Sequence, residues 1–125
     1  MEKPATLLVV DDSPPNLELM RSLFGPLGYI VMTAHSVMDG MALAHREPPD
    51  LIISDLHMPG VDGYAFFRLA HEDPALQQIP FVFLSSTMWP PDAPKKALAL
   101  GALKFIQRPI ESLDLLREVE ACLKA

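Results

Sequence analysis

Leu7-Leu8-Val9-Val10-Asp11-Asp12-Ser13-Pro14-Pro15 runs four apolar residues into two carboxylates, then a serine and two prolines. An unbroken apolar run this short is how a strand buried on both faces of a parallel sheet reads. Ser13 fits an N-cap, and the prolines fit a first helical turn, where a missing N–H costs nothing. The stretch is therefore strand, acidic turn, helix. Leu51-Ile52-Ile53 and Phe81-Val82-Phe83-Leu84 are further continuous apolar runs, and residues 29–34 and 103–106 are weaker strand candidates. Between them Leu17, Met20, Phe24 and Leu27 step by three or four, as do Val37, Met41 and Ala44. Ala93, Ala97 and Leu100 repeat that spacing, and so do Leu115, Val119 and Cys122. Strand and helix alternate five times, which predicts an α/β sandwich around a parallel sheet.

Punctuation agrees with these boundaries. Asp92 before Ala93-Pro94 repeats the cap-then-proline arrangement, and Gly28 and Gly101 follow periodic stretches as helix-ending residues should. Gly25-Pro26 leaves two endings open for the first helix, Phe24 or Leu27, because a proline in the last turn clashes with the carbonyl of Ser22. The 13 prolines are about twice the usual share but are scattered over loops and helix starts. No repeat, linker or low-complexity tract interrupts the pattern.

The 125 residues sit near the rough prior of about 150 per domain, so one domain over 1–125 is expected. Ten Lys+Arg against 16 Asp+Glu leave a net charge of −6, the wrong sign for direct nucleic-acid binding. Half the residues are hydrophobic, which excludes disorder. The single cysteine, Cys122, cannot form an internal disulfide and suits a reducing compartment. No apolar run approaches the roughly 18 residues of a membrane span. Residues 1–10 do not read as a signal peptide, because their apolar stretch ends at Asp11-Asp12. The expectation is an acidic cytoplasmic domain without membrane contact.

Ligands of open parallel sheets bind beyond the carboxyl ends of the strands. The polar residues there are Asp11 and Asp12 after the first strand, Asp55 after the third, Ser85 after the fourth and Arg108 with Pro109 after the fifth. Any one of the acids reads equally well as a helix cap facing the dipole. Three carboxylates, a hydroxyl and a cation converging on one edge do not. Carboxylates a few ångströms apart repel by several kcal/mol at an effective dielectric of about 20. Bound Mg²⁺ removes that repulsion and prefers a few carboxylates plus water and phosphate oxygens. One aspartate can then attack phosphorus and form an acyl phosphate while the metal and a fixed cation neutralise the moving group.

The sequence resembles the receiver domain of bacterial two-component response regulators. The resemblance is carried by residues 7–13, by Asp55-Leu56-His57-Met58-Pro59-Gly60-Val61-Asp62-Gly63, by Phe83-Leu84-Ser85-Ser86 and by Phe105-Ile106-Gln107-Arg108-Pro109. It implies a flavodoxin-like three-layer (βα)5 fold with strand order 2-1-3-4-5, and Asp55 as phosphoacceptor from a sensor histidine kinase or phosphotransfer protein. It implies Mg²⁺ held by Asp12, Asp55 and the backbone carbonyl of His57, with Asp11 acting through water. Ser85 and Ser86 would bind and respond to the phosphoryl group, Phe105 would be the aromatic that turns inward, and the Arg108-Pro109 bond would be cis. A downstream output domain or target would read the face of the fourth helix, fifth strand and fifth helix, and the same face admits a homodimer.

Two positions depart from the family. Arg108 stands where lysine is usual, and a planar guanidinium is not a compact ammonium. Two outcomes are open for it: pairing with Asp55 and later with the phosphoryl group, or crowding the site and holding the off state too tightly. Met88-Trp89-Pro90-Pro91 stiffens the loop after the fourth strand, and Trp89 reads either as a partner contact or as a cover over the crevice. His57 reads as a bystander whose carbonyl ligates. His35, His45 and His71, and the Lys95-Lys96 pair, read as solvated surface. Two rivals remain. One is a degenerate receiver that never accepts phosphate and keeps Arg108 as a permanent counter-charge. The other is an aspartate-nucleophile phosphatase of the haloacid-dehalogenase type, disfavoured by His57 at the position of the second aspartate and by the lack of a cap domain.

Overall fold

The computed structural model describes residues 4–58, 60–85 and 90–124. Five strands alternate with five helices: β1 (Thr6–Val10), α1 (Pro14–Phe24), β2 (Ile30–Ala34), α2 (Val37–Arg46), β3 (Leu51–Ser54), α3 (Gly63–His71), β4 (Phe81–Ser85), α4 (Ala93–Leu100), β5 (Lys104–Gln107) and α5 (Ser112–Lys124). All strand pairs are parallel, as the apolar runs predict, and the order is β2-β1-β3-β4-β5, as the family resemblance implies.

Alternation along each strand explains why the central runs are apolar without a break. Leu7 and Val9 of β1, Ile53 of β3 and Leu84 of β4 pack with Leu17, Met20 and Phe24 of α1 and with Leu115, Val119 and Cys122 of α5. Leu8 and Val10, Ile52, Phe81 and Phe83 point the other way and pack with Val37 and Ala44 of α2, Phe66 and Phe67 of α3, and Ala93 and Ala97 of α4. Burying both faces keeps residues 7–10, 51–53 and 81–84 wholly apolar up to the sheet's rim. β2 and β5 border the sheet, are only partly buried, and accordingly carry weaker sequence signals.

The first helix ends at Phe24, and Gly25–Leu27 forms a 3-10 turn closed by Gly28 at φ +98°. Proline at the second position of that turn avoids the clash with the Ser22 carbonyl that a continuing α-helix would incur. Leu27 consequently leaves the core and is exposed. Gly101 ends α4 in the left-handed region, as expected. Ser13 and Asp92 occupy N-cap positions, but neither side chain makes a cap hydrogen bond. The caps that do form are Ser36 on α2, accepting from Asp39 N–H, and Asp62 on α3, accepting from Ala65 N–H. Among the described residues no helix is long and apolar enough to cross a membrane.

Candidate functional site

Main-chain bonding at the sheet rim sets the frame. Asp11 N–H donates to the Ala34 carbonyl at 3.1 Å and Asp55 N–H to the Val10 carbonyl at 3.0 Å, so both aspartates leave the sheet from hydrogen-bonded positions. Arg108 N–H donates to the Ser85 carbonyl at 2.8 Å, which fixes its backbone beside β4. The peptide bond between Arg108 and Pro109 is cis. One carboxylate oxygen from each of Asp11, Asp12 and Asp55 lies within 4.8 Å of the others, a cluster able to hold a metal ion. Asp11 and Asp55 are buried and Asp12 is exposed, so the cluster opens to solvent on one side only.

Asp55 is held asymmetrically. Its Oδ1 accepts from Leu56 N–H at 2.7 Å and more weakly from His57 N–H at 3.4 Å. Among the described residues no donor of hydrogen-bond geometry reaches Oδ2. Burial pushes its carboxyl above the ordinary carboxylate range and the neighbouring Asp11 charge pushes the same way. The two N–H groups and the nearby Ser85 hydroxyl pull it down less strongly. The Ser85 side chain is fully buried and its Oγ has no hydrogen-bond partner among the described residues, so its pull on Asp55 is that of a neighbouring dipole. A buried hydroxyl left unpaired costs about 1–3 kcal/mol.

Asp11 is the most engaged of the three. Its Oδ1 accepts from Ser13 N–H at 2.9 Å. Its Oδ2 accepts from Asn16 Nδ2 at 3.1 Å and from Arg108 Nη1 at 3.3 Å. The pairing of Arg108 with Asp55 left open by the sequence is therefore corrected: the guanidinium pairs with Asp11. An arginine reaches past the strand end to the carboxylate that already has a fixed orientation. Asn16 was not singled out by the sequence, although a side-chain amide one turn after two aspartates is within reach of them.

The Asp62-Gly63 pair has a packing reason. Asp62 caps α3, and Gly63 sits so close to the Asp55 carbonyl that a Cβ would collide with it. Gly60 adopts φ +81° in the preceding turn. Phe105 is half-buried, with its ring 6.2 Å from that of Phe83. His57 is exposed. His35, His45 and His71 are exposed as expected; at the surface His45 pairs with Asp73, and His71 stacks on Phe67. Lys96 is exposed but lies 4.5 Å over the Tyr64 ring. Ser86, Met88 and Trp89 lie outside the described residues, as does Pro59.

A family model described as the response regulator receiver domain matches residues 7–120. The chain belongs to that family. It is therefore a receiver domain of two-component signalling. It is 33% identical over 117 residues to the response regulator PleD of Caulobacter vibrioides, covering 94% of this chain but 26% of PleD. The receiver thus spans about a quarter of the length of that relative. Protein PilH of Pseudomonas aeruginosa is 29% identical over 119 residues, with 95% of this chain and 98% of PilH covered. A response regulator structure from Chloroflexus aurantiacus superposes with a TM-score of 0.89 at 28% identity, covering 98% of this chain and all of that one.

Proposed function

We propose that this receiver accepts a phosphoryl group on Asp55 from a histidine kinase or phosphotransfer protein, in a Mg²⁺-dependent step, and passes the change to a partner or output domain. The observation that carries the reading is the trio of carboxylate oxygens within 4.8 Å at the sheet rim. The residues fit a magnesium ion: Asp12 is open to solvent, an Asp55 oxygen lies within 4.8 Å of those of Asp11 and Asp12, and the His57 carbonyl follows two residues on. Asp12, Asp55 and that carbonyl would hold the ion, with Asp11 behind them. When bound, it supplies positive charge against the phosphoryl oxygens and relieves the repulsion among the acids.

The protein's own groups do the remaining work. Leu56 N–H and His57 N–H hold Asp55 Oδ1, which leaves Oδ2 to form the bond to phosphorus as the donor's P–O or P–N bond breaks. Ser85 Oγ, buried and without a partner among the described residues, gains one by donating to a phosphoryl oxygen. Drawing Ser85 toward the new charge opens space for Phe105 against Phe83 and so alters the face of α4, β5 and α5. A shift from 1:99 to 99:1 needs about 5.5 kcal/mol of differential stabilisation, within reach of several charge-assisted bonds. The reactions assigned to the domain are its own phosphorylation and dephosphorylation, not turnover of an external substrate.

Ser85→Ala separates these roles. Deleting a hydroxyl that has no partner leaves the metal-free Tm within about 3 °C of wild type. Loss of a donor to the transferring group slows phosphorylation by about a hundredfold. Thermal melts and a time course of phosphoryl gain check both halves.

A second reading has one observation behind it. The Arg108–Asp11 pair already supplies a counter-charge, which suits a degenerate receiver that serves only as a binding module. Intact mass after incubation with a small acyl-phosphate donor discriminates the two. Gain of one phosphoryl group with Mg²⁺, lost on adding EDTA, is the expected result. No gain under either condition favours the degenerate module.

A further inference from the structure

Asp11 and Arg108 form the most buried ion pair among the described residues, with side-chain exposures of 2% and 11%. The guanidinium shares Asp11 Oδ2 with the Asn16 amide, so the oxygen that a cation would approach already carries two donors. The same Asp11 carboxylate belongs to the trio within 4.8 Å that would receive a divalent ion. A guanidinium and a dication on one carboxylate repel each other, and the repulsion is strong where the groups are buried. Arg108 also has somewhere to go. A groove of about 370 Å³, lined by Asn16, Leu19, Arg108, Pro109, Ile110 and Leu115, opens beside it toward solvent. Its backbone stays tied to β4 through the bond to the Ser85 carbonyl while the side chain pivots.

We propose that Arg108 is a metal-gated latch: it occupies Asp11 when the cluster holds no cation, and binding of a divalent ion displaces it into the groove. The arginine is thus a positioning residue that sets how much divalent ion the receiver needs before it can react. The proposal rests on the metal-dependent reading of the cluster given above. It differs from a permanent counter-charge in one respect: the pair breaks when the metal binds.

The direction of the effect separates a latch from a merely structural contact. Loss of a structural contact disorders Asp11 and weakens metal binding, whereas loss of a competing charge strengthens it. Calorimetric titration of Mg²⁺, and separately Mn²⁺, into wild type, Arg108→Met and Arg108→Gln is the test. Glutamine keeps a donor for Asp11 without the charge, and it carries the comparison should the methionine variant fail to fold. The expected result is binding about tenfold tighter in both variants. Asn16→Ala removes a neutral donor from the same oxygen and changes affinity less than about threefold. A second readout is stability: Arg108→Met melts lower than wild type without metal, and the gap closes at saturating Mg²⁺.

Ion binding to wild type with equal or weaker binding to both Arg108 variants overturns the latch and leaves the metal reading intact. A tenfold gain in Asn16→Ala overturns it as well, because charge is then not the cause. Binding by the Arg108 variants alone overturns the latch in favour of a permanent counter-charge, because the wild-type pair then never breaks. No binding by any protein overturns both the latch and the metal reading.

Discussion

Asp55→Asn leaves the protein unable to gain a phosphoryl group and, in EDTA, raises its Tm by roughly 5 °C. The first half follows from the proposed chemistry, since an amide oxygen is no nucleophile toward an acyl phosphate. The second half comes from electrostatics. Burial and the Asp11 charge both disfavour the ionised Asp55 carboxylate, and the two N–H bonds to Oδ1 only partly offset them. Asparagine keeps an oxygen for those N–H groups and carries no charge to desolvate. The pH dependence has a definite sign. With its folded pKa raised, Asp55 favours the folded state most when protonated, below the ordinary carboxylate value of about 4. That contribution is lost as pH rises through the raised folded value. The Tm advantage of Asp55→Asn therefore grows across that window and levels off toward neutrality. Saturating Mg²⁺ narrows or reverses it, because the ion binds wild type better. Melts of both proteins from pH 4 to pH 8, with EDTA and with Mg²⁺, measure all of this; an Asp55→Asn melt below wild type in EDTA at neutral pH contradicts the electrostatic account.

Gly63→Ala destabilises the fold by about 3 kcal/mol, roughly 10 °C in Tm, and slows phosphoryl acceptance as well. An added Cβ collides with the Asp55 carbonyl and lies 2.9 Å from Leu56 Cα and 3.0 Å from the Phe83 ring. Two of those neighbours are backbone, which cannot rotate aside, so either α3 lifts or the Asp55 loop moves. Either shift disturbs the Leu56 and His57 N–H groups that orient the carboxylate. Gly40→Ala is the control for crowding alone. Its Cβ meets Val10 Cγ2 at 2.7 Å, a side chain that can turn, and the loss is smaller and leaves phosphorylation intact. At Gly25, φ is −55° and nothing lies within 4 Å of a Cβ, so Gly25→Ala is neutral or slightly stabilising. Chemical denaturation of the three variants with matched phosphorylation time courses tests the ordering.

The central strands were legible because a strand buried on both faces has no choice but to be apolar, as at Leu7–Val10 and Phe81–Leu84. The border strands begin at Ile30 and Lys104, one residue after the apolar pattern suggests, since strands half in solvent lack that constraint. α3 carries a weaker sequence signal, because its buried face of Gly63, Phe66, Phe67 and Ala70 starts on a glycine. At the site, the chain positions of the acids were readable because strand ends in a parallel sheet share an edge. The partner of Arg108 was not. It sits 97 residues from Asp11, and choosing between two carboxylates on one rim depends on side-chain reach and on Asn16, neither of which spacing encodes. The burial of Ser85 Oγ without a partner is likewise a property of packing, visible only once β3, β4 and β5 are assembled.

The most direct test is to locate the bound phosphoryl group. Protein treated with Mg²⁺ and an acyl-phosphate donor is trapped with borohydride, which reduces an aspartyl phosphate to homoserine, and is then digested and sequenced by mass spectrometry. Conversion at Asp55 alone is the predicted result. Conversion at Asp11 or Asp12, or none at any aspartate, contradicts the account.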